Sequence, residues 1–327
     1  MQRSIEIGII GAGPVGLAAA VAARRAGLSA RVWDRGPLAA SLFNYPTNMV
    51  FFTSNELLEI GDHPLVSGGP KATRREALDY YRKVAEREGL DVVTHCEVSA
   101  VEPGAGGFRV VVTTHGRSRA FACGNVIVAT GYYHRPRLLG VPGEELPHVS
   151  HYFRDAHPFW RRRVVIVGGG NSAAEATLES CRAGAEVTML VRGEKVRDTV
   201  KYWVRPDLEN RIREGSINAR FSTVVEAITP TSVRFHNGAK RGEVRAEAVL
   251  LLTGFVPDTT IVGQAGAELR ADGSVVLDPD CFETRVRGLF VVGSAGFGKR
   301  TGEVFIENGR LHAVGAVAHI ARRLNGG

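Results

Sequence analysis

Cysteine is scarce in this sequence, and no two cysteines lie close enough to work as a pair. Four occur in 327 residues, and the nearest two are 27 positions apart. Without a CxxC motif the chain offers no local dithiol for redox exchange. We therefore interpret all four as buried, inert thiols in a reducing cytoplasm. Cys96, Cys123 and Cys281 fall in predicted strands or at their ends, and Cys181 falls in a predicted helix.

Lysine is also scarce, and long apolar runs are absent from the sequence. The net charge of +7 is carried by 35 arginines and only 6 lysines, with no contiguous basic block interleaved with aromatic residues, so we expect no nucleic-acid partner. No apolar run reaches the length of a membrane span. The first strand is predicted to begin at Ile5, which leaves no room for a signal peptide. We expect a cytoplasmic protein without membrane association.

Glycine, in contrast, is abundant, with 39 residues, and it forms two fingerprints. Residues 11–16 (GAGPVG) follow the apolar run 5–10, and residues 168–173 (GGGNSA) follow the apolar run 164–167. Each fingerprint lies where a buried strand should turn into a helix, predicted at 17–26 and 174–183. Such turns need glycine because the backbone must turn tightly and approach a pyrophosphate at the helix N-terminus. Two fingerprints in one chain predict two dinucleotide sites, and hence a redox enzyme.

The residues that follow each unit differ in charge. The strand 30–33 ends at Asp34, where a carboxylate can accept hydrogen bonds from a ribose hydroxyl. The strand 186–191 instead ends at Arg192, with Lys195 and Arg197 close behind. Guanidinium groups suit a 2′-phosphate. We therefore predict FAD at the first site and NADPH, rather than NADH, at the second.

Three further segments complete a larger pattern. Residues 125–131 and 249–258 are predicted to be buried strands that close on small-residue turns. Residues 288–294 are predicted to be a last strand, followed by a helix from about Glu303 or Phe305 to Leu324. Together the motifs resemble the short, thioredoxin-reductase-like branch of the two-domain flavoprotein disulfide reductases. The resemblance implies an α/β fold with two Rossmann-like domains. The FAD domain would comprise residues 1–132 and 257–327, with the NADP domain, residues 133–256, inserted between them.

A narrower resemblance rests on residues 44–54, 146–152, 201–212 and 305–310, which are similar to segments of the bacillithiol-disulfide reductase family. That family implies FAD, NADPH, a low-molecular-weight disulfide as electron acceptor, and a homodimer or higher homo-oligomer. Its members carry a cysteine between the proline and the last glycine of the first fingerprint. In this sequence that position is Val15.

The resemblance also implies roles for individual residues. Asn44 would approach the isoalloxazine ring, Val98 would meet the adenine through its backbone, and the N-terminus of the last helix would face the flavin carbonyl. No catalytic residue is assigned. The residues predicted to contact the cofactors are Gly11, Gly13, Pro14, Val15, Gly16, Asp34, Arg35, Asn44, Thr47, Val98, Thr130, Gly131, Gly293, Ser294, Glu307, Asn308, Gly168, Gly170, Asn171, Ser172, Ala173, Arg192, Lys195, Arg197 and Gly254.

Several other residues have competing interpretations. His148 and His151 could act as acids, although a structural or solvent-facing role is the commoner one. His312 and His319 share a face of the last helix, but no third ligand has a suitable spacing, so no metal site is predicted. Residues 201–203 (KYW) could line a substrate pocket or form a packing patch.

Three alternative functions stay open at the level of sequence. A flavin monooxygenase also pairs two fingerprints, but the linking motif here is one residue too long. A ferredoxin or flavodoxin reductase of this fold also lacks CxxC, and a basic surface would suit its acidic partner. A non-catalytic flavin or NADPH sensor would keep the fold without turnover. The acceptor is therefore predicted only as a small molecule or a small protein.

Overall fold

The computed structural model describes residues 5–300 and 302–326, which form two compact units. Within these ranges, the first unit comprises residues 5–44, 48–135, 255–300 and 302–326, and the second comprises residues 45–47 and 136–254. The strands are β1 (Ile5–Ile10), β2 (Ala30–Trp33), β3 (Val92–Val93), β4 (Glu97–Gly104), β5 (Gly107–Thr114), β6 (Arg117–Val128), β7 (Val149–Ser150), β8 (Arg163–Val167), β9 (Glu186–Leu190), β10 (Ile217–Arg220), β11 (Val224–Thr229), β12 (Ser232–Asn237), β13 (Lys240–Arg245), β14 (Ala248–Leu251) and β15 (Leu289–Val291). The α-helices are α1 (Pro14–Arg25), α2 (Ala40–Phe43), α3 (Asn55–Leu58), α4 (Arg74–Arg87), α5 (Asn171–Arg182), α6 (Arg205–Arg213), α7 (Thr260–Gln264) and α8 (Ile306–Asn325).

The sheet of the first unit has a parallel part and an antiparallel part. Strands β3, β2, β1, β6 and β15 run parallel in that order, and β4, β5 and the first half of β6 form an antiparallel meander. The parallel strands are almost wholly apolar because helices cover them. Ile7 and Ile9 of β1, for example, are completely buried. This order brings the carboxyl ends of β1, β2, β6 and β15 to one edge of the sheet.

Helix α1 packs against both β1 and α8. Half of its buried residues are alanine, which allows the helix to approach its neighbours closely. Helix α8 buries Ala313, Ala316, Val317 and Ile320. The last helix of the chain is therefore part of the same layer as the helix that follows the first glycine turn.

The second unit repeats the parallel arrangement. Strands β10, β9, β8, β14 and β7 form one parallel sheet, and β11, β12 and β13 form a separate antiparallel sheet. Val164 and Ile166 of β8 are fully buried among the residues of α5 and β9. The two parallel sheets confirm the α/β class predicted from the sequence.

The predicted elements are found with small shifts in their ends. Helices α1 and α5 begin three residues earlier than predicted, at Pro14 and Asn171, because the last residues of each glycine turn already have helical hydrogen bonding. Helix α8 begins at Ile306 and ends at Asn325. Cys281 was predicted to lie in a strand or at its end, but it lies in a turn. This turn comes two residues before an isolated bridge between Glu283 and Phe290.

Candidate functional site

The first glycine turn has the geometry of a phosphate-binding turn. Gly11 has φ +108°, and a Cβ atom there would lie 2.6 Å from the carbonyl oxygen of Ala129. A Cβ on Gly16 would lie 1.9 Å from the carbonyl oxygen of Gly11, so the helix can pack on the strand only with glycine at this position. At Gly13 nothing lies within 4 Å of the place a Cβ would take. The turn is thus closed on its inner side and open on the side where a pyrophosphate would approach.

Helix α1 starts in this turn without a capping side chain. Gly13 is its N-cap residue and Pro14 occupies the first helical turn. A proline there costs no hydrogen bond, because the first N–H groups of a helix have no partner within the helix. An anion beside those N–H groups would be stabilised by them and by the helix dipole.

Val15 lies at the point where this turn meets two other segments. A Cβ on Gly293, at the end of β15, would lie 3.2 Å from the Val15 methyl groups, and a Cβ on Gly309 of α8 would lie 3.0 Å from Val15 Cγ2. Val15 itself is half-buried. Its side chain is therefore packed between two glycines that the sequence brings to it from the C-terminal part of the chain.

Asp34 ties the turn to the neighbouring strand. Its Oδ2 accepts a hydrogen bond from the Ala12 N–H at 2.7 Å, and its Oδ1 accepts one from the Gly36 N–H at 2.8 Å. Burial raises the pKa of this carboxyl, and the two backbone hydrogen bonds oppose that rise. Each oxygen keeps a lone pair for a ribose hydroxyl, while Arg35 is exposed.

The segment that leads to Val98 is held beside Asp34. The His95 N–H donates to the Gly36 carbonyl at 3.1 Å, and the Cys96 N–H donates to the Asp34 carbonyl at 2.8 Å. Val98 is buried, and the pairing register of β4 with β5 shifts just after it. The backbone near Val98 is thus brought to the end of β2.

Thr130, Gly131, Gly293 and Ser294 come together at the ends of β6 and β15. The Oγ1 atom of Thr130 is buried and has no hydrogen-bond partner among the described residues. Gly131 has φ +65°, and its Cβ would lie 3.8 Å from Ser294 Oγ. A buried hydroxyl without a partner is rare in a folded protein, so this orphan atom fits a bound polar cofactor.

At the start of α8, Asn308 has a structural task. Its Oδ1 accepts from the Phe305 N–H and its Nδ2 donates to the Glu303 carbonyl, both at 2.8 Å. The side chain therefore fixes the first turn of the helix. A contact of Asn308 with flavin would therefore have to use its backbone N–H group, which lies in that first turn, where Glu307 lies as well.

The second glycine turn has the same design with one difference. Gly168 has φ +146°, and its Cβ would lie 2.4 Å from the Leu252 carbonyl oxygen. Gly170 is open, with nothing within 4 Å of its missing Cβ, and it is the uncapped N-cap of α5. The third position is Ala173, whose Cβ lies 3.0 Å from the place a Gly168 Cβ would take. Ser172 is exposed on the first turn of the helix. Both turns therefore fit a dinucleotide pyrophosphate.

The three cations after β9 are not equivalent. Lys195 Nζ forms an ion pair with Asp198 at 2.9 Å, whereas neither Arg192 nor Arg197 has an ion-pair partner within the described part of the chain. The Arg197 N–H donates to the Gly169 carbonyl at 2.8 Å, so this arginine is attached to the glycine turn itself. Arg192 and Arg197 are the cations available to a phosphate.

Asn171 serves the loop that follows. Its Oδ1 accepts from the Lys201 N–H at 2.8 Å, and its Nδ2 donates to the Thr199 carbonyl at 3.1 Å. Lys201 pairs with Glu175, and the rings of Tyr202 and Trp203 meet edge to face at 4.8 Å. Tyr202 remains 81% exposed, so the KYW segment does not form a buried packing patch.

Three predicted cofactor residues lie apart from the glycine turns. Asn44 is the C-cap residue that directly follows α2 in the first unit. Thr47 belongs to the second unit, where its N–H donates to the Arg154 carbonyl at 2.7 Å. Gly254 has φ +100° and its carbonyl accepts from the Arg137 N–H at 2.9 Å.

The cysteines differ in their surroundings. Cys96, Cys123 and Cys281 are buried, and burial raises the pKa of the Cys123 thiol to about 12. Cys181 is only half-buried, which corrects the expectation that all four are buried. Its Sγ lies 3.8 Å from the Ser216 carbonyl.

The histidines are more enclosed than expected. His148 and His151 each have one buried ring nitrogen without a partner among the described residues, and His151 Nε2 lies 3.6 Å from Glu144. His312 stacks on Phe282 with ring centroids 4.0 Å apart. His319 instead lies beside Glu283, so the two histidines of α8 have different neighbours.

Comparison with known proteins agrees with this site. The family model "Pyridine nucleotide-disulphide oxidoreductase" matches residues 8–293. The chain belongs to that family. It is 38% identical to bacilliredoxin reductase Bdr of Bacillus subtilis over 97% of this chain and 98% of the relative.

Two solved structures extend the comparison. Bacillithiol disulfide reductase Bdr from Bacillus cereus has a TM-score of 0.96 and 35% identity, covering 98% of this chain and 100% of that one. A thioredoxin reductase from T. acidophilum has a TM-score of 0.78 and 20% identity, covering 99% of this chain and 100% of that one, and this likeness concerns the fold alone.

This oxidoreductase is an FAD- and NADPH-dependent enzyme of thioredoxin-reductase-like fold, as the sequence predicted. Among the described residues, no helix is long and apolar enough to cross a membrane. The sequence did not single out Gly309 as a site residue. Its only signal was its place within the 305–310 segment, because the need for glycine comes from Val15 and Gly293, which are distant in sequence.

Proposed function

We propose that this oxidoreductase reduces a disulfide of the bacillithiol type with electrons from NADPH. The observation that carries the proposal is the similarity along 97% of the chain to bacilliredoxin reductase Bdr, together with two open glycine turns. The reaction would be NADPH + H⁺ + RSSR → NADP⁺ + 2 RSH. The acceptor is a small disulfide or a small protein that carries one.

Residues 1–132 and 257–327 are proposed to bind FAD. The pyrophosphate would lie over Gly13 and the N-terminus of α1, with Asp34 at the adenosine ribose. Thr130 and Ser294 would line the cofactor, since Thr130 holds a buried hydroxyl in need of a partner. The first turn of α8 would direct its N–H groups to the flavin and favour negative charge there.

Residues 133–256 are proposed to bind NADPH. Gly170 and the N-terminus of α5 would hold the pyrophosphate, and Arg192 and Arg197 the 2′-phosphate. Lys195 would contribute less, because Asp198 already neutralises it. When bound, FAD would supply the two-electron chemistry that links the nicotinamide to the acceptor.

The chain itself offers no thiol in the first glycine turn. Val15 fills that position with an apolar side chain packed against Gly293 and Gly309. A disulfide must therefore take its electrons at the flavin directly, or a second protein must bring the thiol. We propose that turnover with the disulfide alone is slow, and that a bacilliredoxin accelerates it. A homo-oligomer in the cytoplasm is the proposed working form.

The test is an acceptor screen with purified, flavin-loaded protein, following NADPH absorbance. The arms contain bacillithiol disulfide, the disulfide with a bacilliredoxin, ferredoxin, and oxygen alone. We expect the highest rate in the arm that contains both disulfide and bacilliredoxin. Fast turnover with ferredoxin and none with either disulfide arm would disprove the proposal, as would oxygen consumption equal to NADPH consumption in every arm.

A further inference from the structure

A cluster of potential metal-binding side chains lies in the first unit, at the turn before β15. The Cys281 thiol, a Glu283 carboxylate oxygen and a His319 ring nitrogen all lie within 4.8 Å of one another. Cys281 is buried, and Glu283 and His319 are partly buried. None of these groups takes part in the cofactor contacts proposed above.

The two carboxylate oxygens of Glu283 contact different groups. Its Oε1 accepts from the Gly288 N–H at 2.6 Å and from Arg323 Nη1 at 2.7 Å. Its Oε2 faces His319 Nε2 at 3.6 Å, which is too long for a direct hydrogen bond. Two ligands held about 2.0–2.1 Å from one tetrahedral zinc ion lie about 3.3 Å apart. The Oε2–Nε2 separation is therefore close to that of two ligands sharing an ion.

The turn that carries Cys281 and Glu283 is closed by its own backbone. The Asp278 N–H donates to the Glu283 carbonyl and the Phe282 N–H donates to the Asp278 carbonyl, both at 2.9 Å. Between the two ligands, Phe282 has φ +63°, a left-handed conformation that is strained for a bulky residue. Such strain persists only where the surroundings enforce it, and it is concentrated at functional sites.

The third ligand is equally well held. His319 lies on α8, its ring 6.1 Å from that of Phe290, and Arg323 one turn later donates to Asn125 at 2.6 Å. Both backbone groups of Phe282 are hydrogen-bonded. Its N–H donates to Asp278, and its carbonyl accepts from the Val291 N–H at 3.0 Å, so the turn cannot change without breaking these bonds. The three ligands are thus fixed by the turn, β15 and α8.

We propose that Cys281, Glu283 and His319 form a zinc site. A thiolate and an imidazole select zinc over magnesium or calcium, and three protein ligands leave the fourth tetrahedral position to water. On binding, the Cys281 proton is released to solvent as the Zn–S bond forms. Arg323 stays on Oε1 as an outer partner of the carboxylate. The ion would fasten the second half of α8 to the turn.

The test uses tag-free, flavin-loaded protein stripped of metal and then titrated with Co²⁺ and Zn²⁺. Co²⁺ in a thiolate-containing tetrahedral site gives visible bands at wavelengths longer than the flavin absorbs. We expect one Co²⁺ per chain, displaced by Zn²⁺, and a rise in the thermal midpoint with Zn²⁺ because the ion binds only the folded state. C281S and H319Q should each lose both signals.

The matched controls are C181S and H236Q, which remove a thiol and a partly buried imidazole elsewhere and should keep the full Co²⁺ spectrum. FAD content, measured for every variant, reports whether it has folded. Wild-type protein with no Co²⁺ bands and no Zn²⁺-dependent thermal shift would overturn the proposal. A Co²⁺ spectrum unchanged in C281S would overturn it as well, because the ion would then lie elsewhere.

Discussion

At the scale of single residues, Val15 is the position where this chain departs from the cysteine that the resemblance to the bacillithiol-disulfide reductase family implies. Valine can neither attack a disulfide nor form a mixed disulfide, whereas a thiol beside the flavin could do both. In this chain the half-buried Val15 side chain packs against Gly293 and Gly309, so a replacement of similar size should keep these contacts.

We predict that Val15→Cys increases turnover of bacillithiol disulfide in the absence of any second protein. The swap changes the volume little, and such core substitutions usually cost less than about 1.5 kcal/mol of stability. FAD binding and flavin reduction by NADPH should therefore be unchanged. The measurement is NADPH consumption at saturating disulfide.

Val15→Ser is the control for this prediction, since it matches the size of cysteine without its nucleophilicity. It should leave disulfide turnover at the wild-type level. Equal turnover by wild type and Val15→Cys, or equal gains in the serine and cysteine variants, would show that a thiol at this position has no part in the chemistry.

The arginines of the second unit give another prediction. Replacing both Arg192 and Arg197 by alanine should raise KM for NADPH while leaving KM for NADH nearly unchanged. One hydrogen bond to a charged group contributes about 1.5–3 kcal/mol, so a rise of about tenfold to one hundredfold per arginine is expected. Steady-state kinetics with both nucleotides provide the measurement.

Lys195→Ala serves as the comparison, because its ammonium is already paired with Asp198 and should matter less to the 2′-phosphate. If the double arginine variant loses affinity for NADH as much as for NADPH, these arginines do not recognise the phosphate.

At the scale of elements, the sequence was sufficient to predict most of the α/β framework. The strand 5–10 and the strand 30–33 were found with the predicted bounds because apolar runs end at strong turn signals. The start of α8 was predicted at about Glu303 or Phe305 rather than at Ile306, since no serine, threonine or aspartate directly precedes the helix. The structure shows that Asn308, three residues inside, fixes the helix by reaching back to Phe305 and Glu303.

This arrangement predicts the effect of Asn308→Ala. The variant loses two backbone hydrogen bonds at the start of α8 and should be destabilised by about 0.5–2 kcal/mol, the range for the loss of a helix cap. Because the first turn of α8 is proposed to face the flavin, FAD should also dissociate faster. Flavin fluorescence during thermal unfolding reports both effects.

Asn308→Asp keeps the acceptor for the Phe305 N–H but loses the donor to Glu303, so its effect should be intermediate. If flavin dissociates at the same rate from wild type and Asn308→Ala, the start of α8 does not help to retain the cofactor. That result would contradict the proposed contact.

At the scale of the whole molecule, the sequence could not show contacts between distant segments. The metal expectation considered only neighbours of His312 and His319 on one helix. The partners of His319 are Cys281 and Glu283, 38 and 36 residues earlier in the sequence, and only the fold brings them together. The packing of Val15 against Gly293 and Gly309 was hidden for the same reason.

His134 predicts how the stability of the first unit depends on pH. Burial lowers the pKa of this imidazole to about 4, and Arg35 and Arg135 add to the effect while Asp258 opposes it. Between pH 6.5 and pH 4 the unfolded chain holds a proton on this residue that the folded chain does not. Stability should therefore fall on acidification, by up to about 1.4 kcal/mol per pH unit from this group.

Urea unfolding of the flavin-loaded protein at pH 7 and pH 5 measures this dependence. His134→Gln should reduce the difference between the two midpoints, while His115→Gln, at an exposed position, should leave it as in wild type. A His134→Gln variant that is as acid-sensitive as wild type would place the titrating group elsewhere.

The discontinuous first unit has a consequence for synthesis on the ribosome. Strand β15 completes the parallel sheet beside β6, and α8 covers α1, yet both are synthesised after the whole of residues 136–254. The second unit is contained almost entirely in residues 136–254 and has all its strands once residue 251 has left the exit tunnel. The unit that begins first is therefore completed only after the second unit, and its nascent sheet keeps an open edge that chaperones can recognise until β15 has emerged.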